Sequence, residues 1–127
     1  MSTLKLDTLS NKAGTASVPS DTIVSGTAKA WVNFNGTGTV AIRRAFNVSS
    51  ITDNGTGQYT INFTTAMLDS NYGAVALGGE INNGGASDNT LVTTNQQQTS
   101  YIYLICRNVQ SSGALNDANF VSVAVFS

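Results

Sequence analysis

The stretch Asn35-Gly36-Thr37-Gly38-Thr39-Val40-Ala41-Ile42-Arg43 is followed, nineteen residues after its start, by Asn54-Gly55-Thr56-Gly57-Gln58-Tyr59-Thr60-Ile61-Asn62-Phe63-Thr64. The same four residues, Asn-Gly-Thr-Gly, open both, and a run of alternating apolar and polar residues follows each. Asn-Gly reaches positive φ at little cost, and between alternating segments it is a strong hairpin signal. In the second run Tyr59, Ile61 and Phe63 face one side while Thr60, Asn62 and Thr64 face the other, the pattern of a strand with one wet face in an antiparallel sheet.

Working outward, the same reading finds about eight strands. They are Ala28–Phe34, Thr39–Arg43, Phe46–Thr52, Gln58–Thr64, Tyr72–Gly78, Leu91–Thr94, Tyr101–Arg107 and Phe120–Phe126. Ala66–Asn71 reads as a short connection with room for one helical turn. Residues 79–90, 95–100 and 108–119 read as polar loops, and no helix of normal length is expected. Tyr72–Gly78 reads as a buried strand carrying small residues. The expected fold is all-β: an antiparallel β-sandwich, jelly-roll-like, over residues 28–127. Local pattern leaves the strand order open.

Residues 1–27 read differently. Leu4, Leu6 and Leu9 precede a run of small and polar residues that holds the chain's one proline, Pro19. This is the pattern of a short extended arm with a flexible linker, which either frays or docks on another chain by strand addition.

The surface chemistry is polar and nearly uncharged. Of 127 residues six are Lys or Arg and seven are Asp or Glu, a net charge of −1, where ordinary domains carry about 25% charged residues. No basic stripe exists to neutralise phosphates, which argues against nucleic-acid binding. Arg43 and Arg44 are adjacent and on a strand point to opposite faces. One is expected in solvent, or in a salt bridge at a subunit interface. No apolar run reaches the roughly 20 residues of a membrane helix. Met1–Asp7 lacks the apolar core of a signal peptide, so the expectation is a chain made and folded in a cytosol.

Catalysis is not expected. The chain has no histidine and a single cysteine, Cys106, in the apolar run Tyr101–Cys106, where burial raises a thiol's pKa. Asp53 and Asp69 open turns, Asp88 and Asp117 lie in polar loops, and no spacing marks a carboxylate pair. Zinc would need His or Cys clusters, and Asp88 with Asn89 does not make a calcium loop of known pattern. No cofactor or metal is expected. Carbohydrate recognition fits better: Trp31, Tyr72, Tyr101 and Tyr103 are candidate platforms, weighed against a place in the core or at a subunit interface. The candidate receptor contacts in the polar loops are Asn82, Asn83, Asp88, Asn89, Gln97, Asn116 and Asp117. Trp31 alternates with Lys29 and Asn33, and so faces the wetter side of its strand.

The segment Ala30–Gly57, continuing through Tyr59–Met67 to the pair Asn71-Tyr72, resembles a module of tail-fibre-like proteins of bacteriophages, including cyanophages. The similarity is specific from about Ala28 to Tyr72 and loose beyond residue 78, and Leu4–Leu9 also resembles the opening of such proteins. The resemblance implies a homotrimeric virion appendage attached by its N-terminal arm, with Leu4, Leu6 and Leu9 as anchor candidates. The partners it implies are other phage tail, baseplate or capsid proteins and a bacterial surface polysaccharide. The relatives often carry the module at the end of a longer fibre, and here no shaft separates arm from head. The expected function is a short tail-fibre or receptor-binding protein of the virion. The alternative is a capsid cement or decoration protein without host contact.

Overall fold

A computed structural model describes residues 2–79, 90–109 and 113–127. The arm holds β1 (Thr8–Ser10), β2 (Ser17–Pro19) and the short helix α1 (Ser20–Gly26). The head holds β3 (Ala30–Asn35), β4 (Ala41–Phe46), β5 (Val48–Gly55), β6 (Gln58–Phe63), β7 (Gly73–Gly79), β8 (Thr90–Gln97), β9 (Tyr101–Asn108) and β10 (Phe120–Phe126). These are the eight segments read from the sequence. Ala66–Asn71 forms bends, with no helical turn.

The head strands form two four-stranded antiparallel sheets. Sheet I runs β4-β3-β10-β7 and sheet II runs β5-β6-β9-β8. Each sheet therefore receives one Asn-Gly-Thr-Gly hairpin: β3–β4 in sheet I, β5–β6 in sheet II. Between the sheets lies one core, with Phe34, Tyr59, Ile61, Ile102, Leu104, Cys106, Val121 and Val125 at its centre. Phe34 from sheet I meets Tyr59 from sheet II edge to face, ring centroids 5.2 Å apart, an arrangement that adds to the burial of both rings. Period-two alternation decides which residues take part. Along β6, β9 and β10 every second side chain is buried and the others are half-buried, except at the end of β9, where Arg107 is exposed and Asn108 half-buried.

The repeated turn works differently from a tight Asn-Gly turn. The last glycine of each repeat is left-handed, Gly38 at φ 60° and Gly57 at φ 64°, and in the second repeat Gly55 is also at positive φ, 120°. Asn35 and Asn54 keep negative φ and act through their side chains. Asn35 Oδ1 accepts from Thr37 Oγ1 at 2.9 Å, and Asn54 Nδ2 donates to Thr60 Oγ1 at 2.8 Å across the hairpin. Among the described residues the one non-glycine at positive φ is Asn47 (φ 54°), at the corner where the chain leaves sheet I for sheet II. Its side chain holds the corner. Nδ2 donates to Lys29 O and to Thr65 O, both at 3.0 Å, and Oδ1 accepts from Thr65 N at 2.7 Å.

The arm is more folded than an extended linker. Asn11 Oδ1 accepts from the amides of Thr15 and Ala16 at 3.0 and 3.2 Å, with Gly14 at φ 69°, and this closes a β1–β2 hairpin. Pro19 then stands at the N-cap of α1, with Asp21 in its first turn, where a carboxylate favours the helix dipole. Leu4, Leu6 and Leu9 are all exposed, Leu4 at 82%.

Candidate functional site

The strand registers place the connections of the head at two opposite ends. Asn35 and Ala41, Gly55 and Gln58, Gly79 and Thr90, and Asn108 and Phe120 all bound connections at one end. At the other end lie the Asn47 corner, residues 64–72, residues 98–100 and the point where the arm joins β3. The residues that flank 80–89 and the described residues 113–119 therefore lie at the end opposite the arm, together with both Asn-Gly-Thr-Gly turns. The expected loop 95–100 is corrected: residues 95–97 extend β8, and only 98–100 turn, at the arm end.

This division separates the receptor candidates. Asn82, Asn83, Asp88 and Asn89 lie outside the described residues, in a connection whose flanking residues Gly79 and Thr90 sit at the loop end. Asn116 and Asp117 belong to the same end. Gln97 does not: at the end of β8 its Nε2 donates to Tyr72 O at 3.3 Å, beside the arm end.

Asn116–Asp117–Ala118 is a strap that ties the two hairpins together. Gly36 N donates to Ala118 O at 2.9 Å, and Asn116 N donates to Cys106 O at 3.1 Å. Asp117 Oδ1 accepts from Gly57 N at 2.7 Å and from the Tyr59 hydroxyl at 2.8 Å. The Tyr59 hydroxyl also stands 2.8 Å from Gly36 O, so one proton forks between two acceptors. Two glycines make the approach possible. A Cβ at Gly36 would lie 2.5 Å from Tyr59 Oη, and one at Gly57 would lie 2.5 Å from Cys106 O. Burial pushes the Tyr59 phenol well above its usual pKa, and the bond to Asp117 pushes it further the same way. Burial also raises the Cys106 thiol to about 11, with a smaller push from the Asp117 charge. Both groups are held protonated, so neither is a nucleophile at neutral pH. The strap is a scaffold for the loop end. Asp117, read from the sequence as a loop carboxylate, spends at least one oxygen on that scaffold. In the same strap Asn119 Oδ1 is buried without a donor among the described residues.

The two outer faces of the sandwich contrast. Sheet II presents polar side chains that bond to one another. Tyr103 donates to Gln58 Oε1 at 2.6 Å, Tyr101 to Gln96 Oε1 at 3.2 Å, and Asn62 Nδ2 to Ser50 Oγ and Thr52 Oγ1, both at 3.1 Å. Tyr101 and Tyr103 thus stand half-buried on a surface of amides and hydroxyls, the chemistry that suits a sugar. Tyr72 is in the core, edge to face with Phe63 at 6.0 Å, and offers no platform.

Sheet I presents an apolar row. Register places Phe46, Trp31, Ala124 and Val75 side by side across all four strands, with Leu77 next to Val75 on the same face. Trp31 is 38% exposed, Phe46 54%, Val75 62% and Leu77 58%. Between Trp31 and the β7 side chains runs a groove of about 260 Å³ floored by Ser122 and Ala124. Alternation in sequence marks Trp31 as outward. It does not mark Val75 and Leu77, because β7 is apolar on both parities. The inward parity takes the small residues Ala74, Ala76 and Gly78, since a Cβ at Gly78 would meet Val92 Cγ2 at 2.9 Å. The expectation of a buried β7 is corrected accordingly: its larger side chains face out.

Among the described residues no cluster of His, Cys, Asp and Glu could hold a metal ion. No protein-family model, curated protein or solved structure matches the chain.

Proposed function

We propose that this chain is a bacteriophage virion appendage, a short tail-fibre or receptor-binding protein that attaches the particle to a bacterial surface glycan as a homotrimer. The observation that carries the reading is the polarity of the head. The arm, with Leu4, Leu6 and Leu9 exposed, joins at one end, and Gly79, Thr90, Asn108 and Phe120, which bound the connections 79–90 and 108–119, lie at the other. A protein held by its arm turns that end outward. The low charge and the Asn-, Thr- and Ser-rich surface suit hydrogen bonding to sugars, and several copies raise weak single-site affinity through avidity. In this reading Asn82, Asn83, Asp88, Asn89 and Asn116 are the contact candidates, Asp117 shapes the loop end, and Leu4, Leu6 and Leu9 anchor the chain in the particle.

The test is binding of the purified chain to host cells and to extracted envelope polysaccharide. The reading predicts saturable binding that is lost on combined Ala substitution at Asn82, Asn83, Asp88 and Asn89 while the melting temperature holds. Equal binding by that variant, or no binding by the native chain, contradicts it. A protein that binds no cell but whose loss makes capsids fragile would be the decoration protein instead.

A further inference from the structure

We infer that the outer face of sheet II, centred on Tyr101 and Tyr103, binds a neutral polysaccharide laid along β9 on the side of the head. The two rings supply the first observation. Tyr101 and Tyr103 share one parity of β9 and are half-buried, while Ile102 and Leu104 between and beside them fill the core. Each phenol reaches past its own register partner to an amide on a neighbouring strand. Tyr103 donates to Gln58 Oε1 at 2.6 Å, and Gln58 pairs with Ile105, two residues further along β9. Tyr101 donates to Gln96 Oε1 at 3.2 Å, and Gln96 pairs with Tyr103. Both rings therefore lean over the sheet towards the loop end instead of standing upright. A ring that lies on a sheet turns one face to solvent, and the C–H face of a sugar packs on such a surface. The two tyrosines are two residues apart, roughly 6.6 Å, so each ring can carry its own sugar.

The amides around the rings supply the second observation. A tyrosine that holds a glutamine by its carbonyl oxygen leaves the Nε2 hydrogens for a ligand. Among the described residues neither Gln58 Nε2 nor Gln96 Nε2 has an acceptor, so each presents a positioned donor. Asn62, which pairs with Tyr101, is held the other way. Its Nδ2 donates to Ser50 Oγ and Thr52 Oγ1, both at 3.1 Å, and this leaves Oδ1 to accept. A polyhydroxylated ligand requires donors and acceptors beside aromatic faces. Holding them in place beforehand lowers the ordering cost of binding.

Charge selects the class of sugar. From Tyr101 to Ile105 the outward register partners on β6 and β8 are all uncharged. The first charge along β9 is Arg107, whose Nη1 donates to Gly113 O at 3.0 Å. An acidic polysaccharide would find no cation beside the two rings, and a neutral one needs none. A sheet face is open, so it takes a chain of sugars with weak affinity at each ring, and several copies on one particle multiply that affinity. The inference rests on the glycan-binding part of the reading above, and adds the side of the head to the loop end.

The experiment is affinity gel electrophoresis of the full chain through soluble mannan, β-glucan and galactan, with dextran sulfate as the charged comparison. The expected result is retardation by at least one neutral polysaccharide and none by dextran sulfate. Tyr101→Ala and Tyr103→Ala should each weaken that binding about tenfold. Tyr103→Phe keeps the ring and releases Gln58, and should weaken it less than Tyr103→Ala does. Should the alanine variants unfold, Gln58→Ala with Gln96→Ala tests the same face with both rings kept, and a several-fold loss is expected. No retardation by any of the three neutral polysaccharides overturns the inference. So does equal retardation by dextran sulfate, or unchanged binding by the folded variants. The combined Ala variant at Asn82, Asn83, Asp88 and Asn89 separates this inference from attachment through the loops. Binding lost there and kept in Tyr103→Ala overturns the inference and leaves the loop reading standing, and the reverse result supports the inference and takes the loops out of the contact. Sedimentation of the same proteins checks the other occupant: a native oligomer that Tyr103→Ala takes apart would mean that a second copy covers the face, and overturns the inference.

Discussion

Tyr59 Oη and Asp117 Oδ1 lie 2.8 Å apart, and this pair joins a core strand of sheet II to the strap that closes the loop end. Because the same hydroxyl reaches Gly36 O and the same carboxylate oxygen reaches Gly57 N, the two repeated turns are fixed relative to one another through two side chains. Tyr59→Phe keeps the ring against Phe34 and leaves Gly36 O and Asp117 without that donor. The expected loss is about 1–3 kcal/mol in urea unfolding. Asp117→Ala also orphans Gly57 N and should cost at least as much. A double-mutant cycle should show strong non-additivity, because both substitutions break the same bond.

The glycines of the repeat should rank by what surrounds them. Gly57→Ala meets both a positive φ and backbone atoms at 2.5 and 2.8 Å, so it is expected to cost more than about 3 kcal/mol or to prevent folding. Gly38→Ala meets positive φ in open space, and should cost about 1 kcal/mol. Thermal melts of the two variants check the order.

Asn47 joins a left-handed backbone to three side-chain hydrogen bonds at the corner between the sheets. Asn47→Gly removes the bonds but relieves the backbone, while Asn47→Ala removes the bonds and keeps the strain. Both should destabilise, Ala more than Gly by about 1 kcal/mol. Equal stability of the two variants would show that the backbone at this corner is not held at positive φ.

Stability should fall in alkali. Cys106 and Tyr59 both have folded pKa values above their ordinary ones. The folded chain therefore keeps protons that the unfolded chain releases, and the stability they contribute is complete below the unfolded pKa values. For Cys106 it is lost as pH rises from 9 towards 11, on the order of 2 kcal/mol. For Tyr59 the loss begins near pH 10 and extends further. Cys106→Ala should flatten the slope of stability against pH between 9 and 11, leaving the Tyr59 part in place.

Much of the head was legible from alternation. Six of the eight strands carry it in whole or part, β7 and β10 were read from apolar runs between turn signals, and Trp31 was placed outward by its neighbours Lys29 and Asn33. Two features escaped for physical reasons. β7 is apolar on both parities, so nothing local says that Ala74 and Ala76 turn inward while Val75 and Leu77 turn out. That choice comes from Val92 crowding Gly78 across the sandwich. Asp117 is a loop carboxylate by sequence, and its partners Gly57 and Tyr59 are about sixty residues away, beyond any local pattern. The strap could still have been suspected from the repeat itself, because two identical turns in one small domain invite one segment to serve both.

The most direct test of the central claim is immunogold electron microscopy of intact phage particles, using antibody raised against residues 28–127. Label at the tail or baseplate, with loop-directed antibody binding at the outermost edge, is the result this account predicts. Label spread evenly over the capsid would contradict it and make the protein a shell decoration.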